Sequence, residues 1–97
     1  VNGLEDKLAA VAAAGETITY GDLARELGLR MGELTSCLET LMEEDAALGA
    51  PFRAALLRQR LSADHLPAPG FFQKATALGV NVPDPIAFIA DQRARLR

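Results

Sequence analysis

The sequence has no tryptophan, one cysteine (Cys37), one histidine (His65), one tyrosine (Tyr20) and four phenylalanines. A lone cysteine excludes an intrachain disulfide and any multi-cysteine metal cluster, and makes a reducing cytoplasm the expected compartment. His65 has no histidine, cysteine or carboxylate partner at ligand spacing, so no metal site is expected. No segment approaches the ~18 to 20 consecutive apolar residues that a membrane-spanning helix needs, and positions 1–15 lack the basic start and apolar run of a secretory leader. A glycine-rich phosphate loop, a G-x-S-x-G elbow and an H-E-x-x-H helix are all missing. The neighbouring carboxylates Asp22 and Glu26, or Glu43, Glu44 and Asp45, bring no pocket or positioned partner for acid/base work. No enzyme activity and no cofactor are expected. Positive charge is short as well: the net charge is −3 and the pI about 5.0, so the basic footprint of a strong nucleic-acid binder is lacking.

What is present is a chain of ordinary globular composition, 49% hydrophobic and 24% charged over 97 residues, which fits one domain spanning 1–97. At this length roughly 60 to 65% of the unfolded surface can be buried, enough for a single core, here expected to be built from Leu, Ala and Ile. The mild net charge hides an asymmetry. Residues 1–50 carry ten acidic against three basic side chains, a net −7, whereas 51–97 carry three acidic against seven basic, a net +4. An anion would be drawn to the second half.

Leu4, Leu8 and Val11 repeat at i, i+4 and i+7 within an alanine-rich run, giving a first helix from Leu4 to Ala14 that ends at Gly15. Ile18 to Tyr20 is β-branched and aromatic but long enough only for a short strand. A short helix then opens at Gly21 and Asp22, directs Leu23, Ala24 and Leu27 inward, and closes at Gly28. The next helix starts at Met31 or Gly32 and runs to about Asp45, with Leu34, Cys37, Leu38 and Leu41 on its buried face. Phe52 to Gln59 reads as a strand and Leu61 to Gly70, with Pro67 and Pro69, as turn chemistry, together a wing-like hairpin or loop. Phe71, Phe72, Ala75 and Leu78 resume helical spacing from Pro69 or Gly70 to near Gly79. Asp84 caps a last helix that begins with Pro85 and extends to about Leu96.

The stretch ITYGDLARELGL followed by ELTSCLETLMEEDA, with small Ala24 at a helix crossing, Gly28 at the turn and Leu34, Leu38 and Leu41 along the second helix, resembles the winged helix-turn-helix superfamily from Ile18 to about Gly70. The opening ITYGDLARELG also resembles the helix-turn-helix segment of alkyltransferase-like proteins, but the Pro-Cys-His-Arg motif of the transferases is absent and no dealkylation chemistry is implied. PFRAALLRQR with LPAPGFFQKA is similar to small bacterial winged-helix-like proteins of unassigned function. The resemblance implies a mainly α fold, a winged helix-turn-helix with about five helices and a small two- or three-stranded β-wing, followed by a C-terminal helix at about 84–96.

It also implies binding to duplex DNA, as a transcription regulator or as the targeting module of a DNA-processing system, with the start of the second helix of the motif in the major groove. Carried over position by position, the base-reading residues are Arg30, Met31, Glu33, Thr35, Ser36 and Glu39, of which Arg30, Thr35 and Ser36 are the favourable ones. Arg58 and Arg60, with Arg53 nearby and Lys74 alongside, are the candidates for backbone phosphate. Against this stand Glu33, Glu39, Glu43, Glu44 and Asp45, whose carboxylates repel phosphate. The alternative is therefore a protein interaction module that offers the acidic face, Glu33, Glu39, Glu43 and Glu44, to a basic protein partner, or a homodimer formed through Ile86, Phe88 and Ile89 of the last helix. Arg93, Arg95 and Arg97 are expected to be a solvated C-terminus that complements the helix dipole. Cys37 is expected in the core, His65 in solvent, and Tyr20 packed on the helices.

Overall fold

The computed structural model describes residues 3–62 and 64–97. It is mainly helical, with five α-helices and one small two-stranded sheet among the described residues. Helix α1 (Leu4–Ala13) sets Leu4, Leu8, Val11 and Ala12 into the core, as the alanine-rich spacing requires. Strand β1 (Ile18–Thr19) passes without a break into α2 (Tyr20–Leu27), because the Thr19 hydroxyl accepts the Asp22 N–H at 3.2 Å and caps the helix. Helix α2 ends at Gly28 in the left-handed region, φ 68°, where the Gly28 N–H reaches the Arg25 carbonyl and the Leu29 N–H reaches the Ala24 carbonyl. That double bond pattern is a Schellman close, and it reverses the chain within three residues before α3 (Met31–Leu48) starts.

Helix α3 buries Leu34, Leu38, Leu41 and Met42, confirming the face read from the spacing, and runs three residues past the expected end at Asp45. It packs against α2, α4 (Pro69–Ala77) and a turn of 3-10 helix at Arg53–Leu56. The expected strand from Phe52 to Gln59 is mostly not a strand: after the 3-10 turn only Leu57–Arg58 forms β2. The reason lies in its backbone donors. The Phe52 N–H goes to Gln92 Oε1 at 2.6 Å, the Arg53 N–H to Asp45 Oδ2 at 2.9 Å and the Ala55 N–H to the Phe52 carbonyl, so the first half of the segment has few donors left for a ladder.

The sheet also departs from a wing. β2 pairs with β1 in parallel, Ile18 opposite Leu57 and Thr19 opposite Arg58, and the described residues contain no antiparallel hairpin. In place of the hairpin, the chain leaves β2 and returns on itself, the Gln59 N–H closing on the Leu66 carbonyl at 2.9 Å. Helix α5 (Pro85–Leu96) starts as expected, with Asp84 Oδ1 accepting the Ala87 N–H. The core runs from α1 through α3 and the Ala54 to Leu57 segment to α4 and Ile89, and Phe52 and Phe71 meet edge to face with centroids 5.8 Å apart. No helix among the described residues is long and apolar enough to cross a membrane.

Candidate binding cleft

Parallel pairing of β1 with β2 sends both chains out of the sheet on the same side. The chain leaving β1 enters α2 at Tyr20, Gly21 and Asp22; the chain leaving β2 continues to Gln59 and Arg60. These two exits lie side by side and, with the first half of α3 and the start of α4, enclose an open cleft of about 890 Å³. Met31, Thr35 and Glu39 of α3 form one wall and Arg58, Gln59 and Arg60 another. Leu38, Met42 and Phe71, all buried, supply an apolar floor with Tyr20.

Tyr20 is half-buried, and its hydroxyl oxygen accepts the Ala68 N–H at 3.0 Å. Burial pushes its phenol above the ordinary value, against the opposing effects of that bond and of the Arg93 charge. The ring therefore packs, as expected, while one part of it faces the cleft. Asp22 is held below the usual carboxylate range first by the Thr19 hydroxyl, then by its ion pair with Arg25, with Arg60 adding a weaker attraction.

The expected site residues divide. Thr35, Arg58 and Arg60 come together in the cleft. Arg30, the residue before α3, and Ser36 on it are exposed but do not line the cleft; the Arg30 N–H donates to Glu33 Oε1 at 2.9 Å and the Ser36 carbonyl accepts from the Thr40 hydroxyl at 3.1 Å. Lys74 lies elsewhere, its ammonium 2.6 Å from Glu43 Oε2, a pairing that raises its pKa. Thr35 itself donates back to the Met31 carbonyl at 3.0 Å, which leaves its oxygen lone pairs facing outward.

The remaining cations sort by their partners. Arg53 is taken up by acids: Asp45, only 4% exposed, sits 3.0 Å away, with Glu5 at 2.7 Å and Glu44 at 3.6 Å. Burial alone would lower the Arg53 pKa, but its bonds to Asp45 and Glu5 outweigh burial and raise it. Arg93 is not the solvated end-of-helix charge that was expected. Its guanidinium donates to the carbonyls of Ala55 at 2.8 Å, Leu57 at 3.3 Å and His65 at 2.6 Å, stapling α5 to β2 and to the loop beyond it. Burial, and then the nearby Arg58 charge, lower its pKa. Arg95 fits the expectation better, lying exposed and 3.9 Å from Asp91. Arg58 and Arg60 carry no ion pair among the described residues.

The sequence reading missed Arg25 and Gln59 as cleft residues, and no local pattern could have found them, because the cleft depends on pairing across 39 positions from Ile18 to Leu57. Cys37 is half-buried against the core rather than fully inside, and His65 is exposed with a left-handed φ of 55°. Of the three apolar residues proposed for α5, Ile89 is buried, Phe88 is half-buried and stacks at 6.4 Å from both Phe52 and Phe71, and Ile86 alone is exposed. The described residues hold no cluster of three or more His, Cys, Asp or Glu side chains able to hold a metal ion. Compared with protein-family models, curated proteins and solved structures, the chain matches none of them.

Proposed function

We propose that this chain is a winged-helix-like domain that binds duplex DNA, as a regulator or as the targeting module of a DNA-processing system, and that it works by binding rather than by catalysis. The observation that carries the reading is that Thr35 and Met31 of α3 line the same cleft as Arg58 and Arg60, two arginines that carry no ion pair among the described residues. In this reading the start of α3 meets base edges, and Arg58 and Arg60 hold the adjacent phosphates, a division between reading and positioning that DNA-binding domains use generally. The loop closed by Gln59 and Leu66 stands in for a stranded wing. Lys74 has no part in it, being held by Glu43.

The acidic-face alternative has less support. Of its four carboxylates, Glu43 is bridged to Lys74 and Glu44 approaches Arg53, so Glu33 and Glu39 alone are left without an ion pair among the described residues. The test is a fluorescence-anisotropy titration of a labelled mixed-sequence duplex at ~50 mM and ~200 mM salt, because counterion release makes phosphate contacts weaken steeply with salt. Binding that collapses at the higher salt supports the proposal. No binding at the lower salt turns the assignment to a protein partner.

A further inference from the structure

The phosphates and sugars of DNA do not account for the floor of the cleft. A duplex lying across Arg58, Arg60 and Thr35 presents a polar, charged backbone, yet Leu38, Met42 and Phe71 bring buried apolar side chains to the surface of a concavity of about 890 Å³, with Tyr20 beside them. That volume falls within the range of about 300 to 1,000 Å³ typical of small-molecule sites, which combine an apolar lining with a few polar groups that fix orientation.

Charge is concentrated at one end. Arg58 lines the cleft, the Arg93 guanidinium is committed to three carbonyls, and no carboxylate among the described residues forms an ion pair with either. Arg60 lies beside Asp22, which is already paired with Arg25. On the wall formed by α3, Glu39 is exposed and carries no ion pair among the described residues, which directs the anionic head toward Arg58 and Arg60. Arg58 and Arg60 line one cleft with no ion pair among the described residues, and a planar guanidinium suits a carboxylate or a phosphate oxygen pair.

We infer that the cleft is a binding site for a small organic anion, one with an apolar or aromatic body that fills the floor and a carboxylate-like or phosphate-like head on Arg58 and Arg60. This goes beyond the DNA reading and does not rest on it. It is tested with anilinonaphthalene sulfonate, an aromatic anion, titrated into the isotopically labelled chain and followed by amide chemical shifts, with uncharged N-phenylnaphthylamine as the comparison. Saturable shifts at Thr19 to Asp22, Thr35 to Glu39 and Arg58 to Arg60 are expected, with the uncharged analogue binding at least about tenfold more weakly, since it lacks the charge-assisted hydrogen bonds to the arginines.

R58A/R60A should weaken the anion to a similar degree while keeping a cooperative thermal melt. R60A alone, at an exposed position, should weaken it in the same direction and serves where the double variant melts early. Shifts centred elsewhere, no saturation, or equal affinity for the charged and uncharged probes would overturn the assignment. These outcomes are independent of the duplex titration, which contains neither naphthalene compound and reads the binding of the labelled DNA.

Discussion

At the scale of single residues, the decisive question is what each cation is near. The count of basic side chains in the second half was plain from the sequence, but it did not show which of them are free. Arg53 and Glu5 meet across 48 positions, and Lys74 and Glu43 across 31, so both pairings are set by packing and leave no local trace. Asp45 is the anchor of the first network: one oxygen accepts the Arg53 backbone N–H, and both face its guanidinium. Asp45→Ala should cost about 3 kcal/mol in a denaturant melt, the lower end for breaking a buried pair, because Arg53 keeps Glu5 and Glu44. A loss under ~1 kcal/mol would mean that the pair is solvated in solution.

Tyr20 offers a second check, since the chain has one tyrosine and no tryptophan and its phenolate can be read by absorbance without interference. Burial raises its pKa in the folded state, so the folded chain holds this proton more tightly than the unfolded chain does. The sign follows directly: this contribution to stability is complete below the unfolded value of about 10 and is lost as the pH climbs from there through the raised folded value. The native titration midpoint should lie above 10 and fall back to it in denaturant. A native midpoint at or below 10 would place the ring in solvent.

At the scale of elements, the helices were legible because each buries one face, and a period of 3.6 survives in the order of its apolar residues. Gly21 and Asp22 at the start of α2, Gly28 after it and Asp84 with Pro85 before α5 marked ends that the structure reproduces within a residue or two. The segment from Phe52 to Gln59 was not legible. Ala54, Ala55, Leu56 and Leu57 are buried in succession, and a continuous apolar run looks the same whether it is a buried strand or a buried turn of 3-10 helix. Gln92 and Asp45, on two other helices, decide between them by taking the first two N–H groups.

The helical faces can be tested in pairs. Leu34, fully buried on α3, should lose ~2 to 5 kcal/mol on replacement by alanine. Ile86, 54% exposed on α5, should change by no more than about 0.5 kcal/mol. Similar losses at both sites in urea melts would mean that Ile86 is covered in solution, as a dimer through α5 would require.

At the scale of the whole molecule, the fold turns a charge-divided sequence into a mixed surface. The acidic first half and basic second half interlock: Arg53 and Lys74 pair with acids of α1 and α3, and Arg93 binds carbonyls. Arg58 and Arg60 are left at the β2 exit, in one cleft with the start of α2 and with α3, because two parallel strands of two residues each bring those segments together. The α2 and α3 half of this arrangement was legible in the spacing of Ala24, Gly28 and Leu34. The strand partnership that closes the cleft was not, since two-residue strands carry no period.

The most direct test of the cleft as the DNA-contacting surface is the slope of log affinity against log salt for duplex DNA, measured for the parent chain, for R58A/R60A and for K74A. Each lost phosphate contact reduces the slope by about 0.9, so R58A/R60A should flatten it by about 2 while K74A leaves it unchanged. A parent slope that survives R58A/R60A, or one that falls in K74A instead, would contradict the placement of DNA in this cleft.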